Sequence, residues 1–333
     1  MTGQSPKHGD LAGEWLHCIV AKPTHRLINV DFAGFHALTT GFEAEDVSYI
    51  RAARLDIHGI LGYAKEKLPD YQRLIDSLRT NDHKLMPDEE ILDRVKRWAR
   101  KNVEGFKDRR DQMYKRTVLG NQFGMRPPKL HKLYPEAFPT VAIANDLYQM
   151  ETEIWPKIFA WQDAQRDLAH VQRYLKTRYG FVRWFWNVYA HKWSKYTNSW
   201  EKRPGDDSEK VVAYAPANDA FGHVRDCLIY LHYTLHPETG MSYADTYGLY
   251  NNVHDSLELE CPAPRVEEAI DLIARLTQRR NPTLTNRIEP LGLWCGIEAA
   301  VSDASKGNHA GTLKYNTVAT PVGPFDFPLG DLP

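Results

Sequence analysis

The chain has 333 residues, 42% of them hydrophobic, and a formal net charge of −1, so it can bury the core of one large or two ordinary domains and carries no global charge that announces nucleic acid. Its four cysteines (Cys18, Cys227, Cys261, Cys295) show no C-x-x-C spacing, which argues against a zinc site or a disulfide framework and fits a reducing, cytoplasmic compartment. No apolar run approaches the roughly 18 residues of a membrane span. The polar start Met1-Thr2-Gly3-Gln4-Ser5-Pro6 lacks the apolar region of a signal peptide.

In chain order, Met1–Asp10 reads as a loose tail, and Trp15–Val20 and Arg26–Phe32 read as strands. The second strand, Arg26-Leu27-Ile28-Asn29-Val30-Asp31-Phe32, is an apolar run that ends on an acid. Val47, Ile50, Ala53, Ile57 and Leu61 recur at helical spacing and predict one helix over Ala44–Lys67. Pro69–Asp88 is polar and reads as an irregular insertion. Pro87 followed by Asp88, Glu89 and Glu90 signals a new helix carrying Ile91, Leu92, Val95 and Trp98.

Arg94–Lys132 holds 13 Lys or Arg against three acids, so the neutral total hides a locally basic segment. A long aromatic helical stretch is expected over Pro139–Lys176, then a Trp- and Phe-rich strand pair or turn over Tyr179–Val188. Trp200–Glu209 reads as a loop around Pro204-Gly205-Asp206-Asp207. Asp219–Leu235 and Arg265–Arg280 read as helices. The nine Trp and 17 Tyr suit base stacking among basic residues, though such residues more often fill a core. After Glu298 the chain turns rich in Gly, Pro, Ser and Thr and reads as a surface wrap or partly disordered tail.

Asn251–Leu259 reads as a β-hairpin tip, with Leu257 and Leu259 alternating against Glu258 and Glu260. It places Asp255 at a strand end, as Asp31 is. A turn Asp that caps its own backbone is the plainer explanation for Asp255 alone. An acid at the end of a buried strand is costly unless paired or bound to metal. If the two strands share one sheet, both acids can jointly hold two divalent cations, as phosphoryl transfer requires. The basic segment would supply phosphate contacts. On a helix, Lys115, Leu119 and Phe123 share one face and present an ammonium followed by apolar and aromatic surface. The same spacing also fits a core stripe with one snorkelling lysine. No Gly-x-x-x-x-Gly-Lys loop is present.

These segments, in this order, resemble the palm and fingers of family A (polymerase I-like) DNA polymerases. Asp31-Phe32-Ala33-Gly34-Phe35-His36 is similar to the first palm motif, Asp-Tyr-Ser-x-x-Glu, and Asp56-Ile57-His58 is identical to the triplet on the following helix. Lys115, Leu119-Gly120 and Phe123-Gly124 keep step with the fingers motif. Tyr214-Ala215-Pro216-Ala217-Asn218 resembles the Asn-x-Pro-x-Gln segment before a palm helix, and Val253-His254-Asp255 closes the set. The resemblance covers about Leu27 to Cys295. It implies an α+β fold: a right-hand polymerase palm, with an antiparallel sheet and flanking helices, plus helical fingers, the thumb missing. Residues 1–60 would hold a tail and the first part of the palm. Residues 61–200 would be fingers with inserted helices, 201–300 the second part of the palm, and 301–333 a C-terminal tail.

The resemblance implies that Asp31 and Asp255, with the Phe32 carbonyl, hold two Mg²⁺ ions. Lys115 and Arg109 or Arg110 would grip the triphosphate of an incoming dNTP, joined by His58 and Leu119. Phe123 would stack beside the nascent pair, and His36 would sit against the sugar. Asn218, His254 and Gly124 would contact DNA. The reaction implied is attack of a primer 3′-hydroxyl on the α-phosphorus, in the style of phage replication polymerases working in a host cytoplasm. Only 30 residues precede Asp31. A thumb and perhaps a 3′–5′ exonuclease are therefore expected on a separate subunit of a split polymerase, or on the remainder of a longer chain of which this sequence is a part.

Departures from the family pattern are specific. Arg110 stands five residues before Lys115 instead of four, about 500° around an α-helix rather than 400°, so the two cations align only with a bulge or a substitute arginine. His36 replaces the family's Glu, Leu119 an aromatic residue, and Ser256 an acid for which Glu258 would compensate. One rival reading is a catalytically inactive polymerase-like subunit that binds DNA or acts as a scaffold. Intact Asp31, Asp255 and Lys115 argue against it. Another is a metal-dependent phosphohydrolase, which would have no use for Phe123.

Overall fold

β1 (His25–Phe32) is the strand around which the first of two units is assembled. A computed structural model describes residues 20–80, 86–302, 313–316 and 322–324. The first unit comprises Met1–Ala33, Ala220–Pro282 and Leu291–Pro333, and the second Gly34–Asp219 with Thr283–Pro290.

In the first unit, β1 is joined by β6 (Leu249–Val253), β7 (Ser256–Pro262), β9 (Ile297–Ser302) and β10 (Leu313–Asn316). They form one sheet in the order β10-β9-β1-β7-β6, antiparallel throughout. The register sorts side chains by period 2. Val30 faces Leu257 and Ala299 across the ladder, and Ile28 faces Leu259 and Val301. All six are buried. The helix Val266–Gln278 packs against this sheet and buries Ala269, Ile270, Ile273 and Leu276. The opposite face carries Asp31, Asn29, Glu258 and Glu298.

The expected hairpin is present, with His254 and Asp255 as its two-residue tip and Val253 paired with Ser256. The expected tail after Glu298 is instead β9, a direct neighbour of β1. Its alternation is carried by Ile297, Ala299 and Val301, and the adjacent alanines Ala299 and Ala300 dilute its hydrophobic signal. The expected strand Trp15–Val20 lies outside the described residues except at Val20, and so does most of the expected tail at 303–333.

The second unit opens with α1 (Phe35–Glu43); α2 (Val47–Leu55) and α3 (Ile57–Lys65) replace the single helix expected over Ala44–Lys67, and α4 (Tyr71–Arg79) lies in the expected irregular insertion, of which residues 81–85 are outside the described residues. Asp56 makes the break. Its backbone is extended, and its side chain accepts the Gly59 N–H at 3.0 Å as the N-cap of α3. Apolar periodicity runs straight through that cap and hides it. Leu74, Ile75 and Leu78 supply α4's buried face.

α5 (Met86–Asn102) and α6 (Phe106–Arg109) lead into a π-helical turn, Arg110–Tyr114, and then α7 (Lys115–Gln122) and α8 (Pro127–Leu133). The expected aromatic stretch is two helices, α9 (Val141–Ile154) and α10 (Pro156–Gln172). Pro156 forces the buried Trp155 out of helical geometry. Two small hairpins follow, β2 (Tyr174–Lys176) with β3 (Val182–Trp184), and β4 (Tyr189–Ser194) with β5 (Ser199–Pro204). β5 occupies the first half of the expected loop. α11 (Ser208–Tyr233) starts eleven residues before the expected helix and contains Pro216, so Tyr214–Asn218 lies inside a helix rather than ahead of one. Proline reads as a boundary, but Val211, Val212 and Ala215 are already buried upstream of it.

Gly248 ends a short helix, Tyr243–Tyr247, and starts β6 with φ +64°; a Cβ there would lie 2.2 Å from the Glu260 carbonyl oxygen. Gly248→Ala therefore combines left-handed strain with a backbone clash beside the β6–β7 hairpin. It should lower the unfolding free energy by about 2 kcal/mol or more in urea titrations, whereas the exposed Gly240→Ala, with open space around its Cβ, should lose less.

Candidate active site

The first unit places the two predicted acids together. Asp31 stands opposite Ser256 on β7, and the N–H of Phe32 donates to the carbonyl oxygen of Asp255 at 2.9 Å. Asp31 and Asp255 are half-buried and His254 is exposed, its φ of +57° unusual for a non-glycine residue. Phe32 itself is fully buried, its ring edge-on to His223.

Two other acids share the sheet face. Glu258 does not stand next to Asp31. It is buried one row back, opposite Asn29, and accepts from Asn251 at 3.0 Å and from Tyr250. Glu298, exposed on β9, is the direct cross-strand neighbour of Asp31. Sequence reading missed Glu298 because it assigned β9 to a tail. The alternation Ile297-Glu298-Ala299-Ala300-Val301 was the available signal. No group of three or more His, Cys, Asp or Glu side chains gathers to hold a metal among the described residues. The two strand-end carboxylates still fit Mg²⁺, which needs only one or two carboxylates when substrate phosphates and water complete its shell.

The second unit places the cationic residues. Lys115 and Phe123 are exposed and Leu119 half-buried, whereas Tyr114, Thr117, Val118, Asn121 and Gln122 are buried. The predicted stripe is thus α7's open face, not a core stripe. The reverse face is pinned by polar contacts. Gln122 donates to the Tyr49 hydroxyl at 2.9 Å, Asn121 to Glu151, and Gln162 to the Asn121 carbonyl at 2.7 Å. Burial pushes Glu151 up to about 8, so it sits there uncharged at neutral pH.

The π turn resolves the spacing of Arg110 and Lys115. The Lys115 N–H bonds to the Arg110 carbonyl, an i→i+5 closure that takes up the extra residue. Arg110 and Lys115 therefore lie about one turn apart on one side, as four-residue spacing would place them on an α-helix. Arg110 reaches Asp56 through Nη2 at 2.7 Å and Nε at 3.2 Å, and Asp111 through Nη1 at 2.7 Å. Burial pushes the Asp56 carboxyl up, but the Arg110 guanidinium and Lys96 hold it below the usual range. Arg109 turns elsewhere, donating to Glu66 at 2.8 Å beside the Tyr114 hydroxyl. Lys115 makes no ion pair among the described residues.

His58 joins this group. Burial drops its pKa to about 4, Asp56 opposes the drop, and Arg110 and Lys115 add to it. His36 and Phe123, predicted for sugar and base, lie against each other with ring centroids 4.7 Å apart. Gly124 has φ +73° and borders a cleft of about 400 Å³ that Arg126 and Arg166 also line. Asn218 bonds back to the Tyr214 carbonyl at 2.8 Å within α11, away from the α7 group in the sequence.

No protein-family model matches the sequence, and no curated protein does. Among solved structures, the chain is similar to the POL domain of Pol1 from M. smegmatis in complex with DNA primer-template and dNTP. The TM-score is 0.61 at 11% identity, over 92% of this chain and 45% of that one. The chain thus spans less than half the length of the structure it matches, and it has the mixed helix-and-sheet fold of a DNA polymerase domain.

The buried, neutral state of His58 carries a pH signature. An unfolded histidine takes a proton near 6.5, whereas the folded imidazole takes one only near 4. Between those values the unfolded chain binds more protons, so stability falls as pH drops through that window. His58→Gln should remove part of this dependence. Urea unfolding of the variant should lose roughly 2 kcal/mol less between pH 7 and 4 than the wild type does.

Proposed function

We propose that this chain carries the nucleotidyl-transfer site of a DNA-directed DNA polymerase of family A type. The observation that supports this most is the β1–β7 ladder, which sets Asp31 and Asp255 at one end of one sheet. The reading assigns the sheet unit to the palm and the helical unit to the fingers. The chain's likeness to a polymerase domain bound to primer-template and dNTP supports the same substrates here.

In this reading the carboxylates of Asp31 and Asp255, with the Phe32 carbonyl, hold two Mg²⁺ ions. When bound, such ions lower the pKa of the primer 3′-hydroxyl and offset the charge of the triphosphate and the leaving oxygen. Lys115, exposed on α7 and without an ion pair among the described residues, contacts the triphosphate. Arg110 aids it from the preceding turn, held in place by Asp56. His58, neutral at pH 7, offers a hydrogen bond without a charge. His36 and Phe123 form an aromatic wall for the sugar and base. The 3′-oxygen attacks the α-phosphorus and pyrophosphate leaves. The protein contributes position and electrostatic compensation. Asn218, His254 and Gly124 contact primer or template.

The finer form of the proposal places the thumb, and any 3′–5′ exonuclease, on a separate subunit. Primer extension with Mg²⁺ and dNTPs, with and without such a thumb-bearing subunit, tests both forms. Extension should stop on chelation by EDTA. Lys115→Ala should lower the rate by about 10²–10³-fold, and Asp255→Ala by more. Normal extension by Asp255→Ala would sink the reading. A wild-type complex that binds primer-template but never extends it would favour an inactive DNA-binding subunit instead.

A further inference from the structure

We propose that the paired hairpins β2–β3 and β4–β5 form a platform for single-stranded DNA. This goes beyond the polymerase reading and does not depend on it. Residues 173–204 contain eight Lys or Arg and one acid, Glu201, interleaved with ten aromatic residues. The aromatics divide between a small core and the surface. Phe185, Leu175 and Val188 turn inward to a small core with Ala169, Val211 and Tyr214. Trp184 and Trp186, on either side of Phe185, turn outward and are 56% and 70% exposed. The outward rings are ordered against one another. Tyr174 and Trp184 lie 5.3 Å apart, and Trp184 and Trp186 lie nearly parallel at 5.8 Å.

The second hairpin adds further outward rings. Trp193 pairs with Trp200 directly across the ladder, and His191 pairs with Lys202. Period 2 puts Tyr189, His191, Trp193, Trp200 and Lys202 on one face. Lys202 lies 3.6 Å over the Tyr189 ring, which fixes that sidedness. Trp200 is 66% exposed and Tyr196 at the tip fully so.

Exposed aromatic clusters of this kind mark a recognition surface. The charge decides what it recognises. Protein–protein interfaces are depleted in lysine, whereas this surface carries Lys176, Lys195 at the β4–β5 turn, and Lys202, which also lies 3.4 Å from Asp167. Single-stranded nucleic acid supplies both complements, phosphates for the cations and unstacked bases for the rings. A duplex hides its base faces and would leave the tryptophans without partners. The rigid backing of Phe185, Leu175 and Val188 keeps the outward rings in place.

The test is fluorescence anisotropy of a labelled oligo-dT of about 20 nucleotides, in EDTA and without dNTP, so that no nucleotide addition takes part. The wild-type chain should bind oligo-dT more tightly than the matching oligo-dT·oligo-dA duplex. Trp186→Ala and Trp200→Ala should each weaken oligo-dT binding about tenfold with unchanged far-UV circular dichroism. If a tryptophan variant unfolds, Lys195→Glu in the exposed β4–β5 turn gives the second reading: weaker binding with a shallower salt dependence. Equal affinity of wild type and folded variants for oligo-dT, or preference for the duplex, overturns the proposal. So does a patch that instead joins two copies of the chain, seen as a concentration-dependent mass abolished by Trp200→Ala without oligo-dT binding.

Discussion

The pairing of β1 with β7 is the constraint on which the rest depends. Seven residues of β1 align with seven of β7, from His25 against Pro262 to Asp31 against Ser256. A slip of one residue would turn Val30 and Ile28 to the acidic face and Asp31 into the core. The apolar contacts with Leu257 and Leu259 thus fix the register, and the register fixes the carboxylates. The Phe32–Asp255 backbone bond then ties the hairpin tip to the end of β1. Position of the acids is a by-product of core packing.

A second constraint operates within the helical unit. Asp56 caps α3, breaks the α2–α3 run and holds Arg110 with nearly all of its carboxyl out of water. Removing it would leave the half-buried Arg110 guanidinium with Asp111 as its remaining carboxylate and take away the α3 cap. The π turn that follows Arg110 costs regular helix geometry, and what it supplies is alignment of Arg110 with Lys115. Such turns concentrate at functional sites, and this one accommodates a residue that an unbroken α-helix would misplace.

Much of the sheet and hairpin was legible because Leu27–Phe32 is an apolar run ending on an acid and period 2 is written plainly in Leu257–Glu260. The open face of α7 was legible too, since Lys115, Leu119 and Phe123 keep four-residue spacing. Other features were hidden for physical reasons. Ala299 and Ala300 gave β9 too little apolar signal to be read as a strand, and with it Glu298 was overlooked. Asp56 looked like one polar residue in a long helix because capping acts through a side-chain hydrogen bond that periodicity does not register. The division of the tryptophans into core and surface needed the hairpin ladders, since Trp155 is fully buried and Trp186 largely exposed at the same residue type.

The central claim is that Asp31 and Asp255 jointly bind divalent metal with a nucleotide. Electron paramagnetic resonance of Mn²⁺, titrated in the presence of dNTP and primer-template, measures that directly. The account predicts about two ions bound per wild-type chain, and loss of that binding in the Asp31→Asn, Asp255→Asn double variant with its fold intact. Wild-type stoichiometry and affinity in the double variant would contradict it.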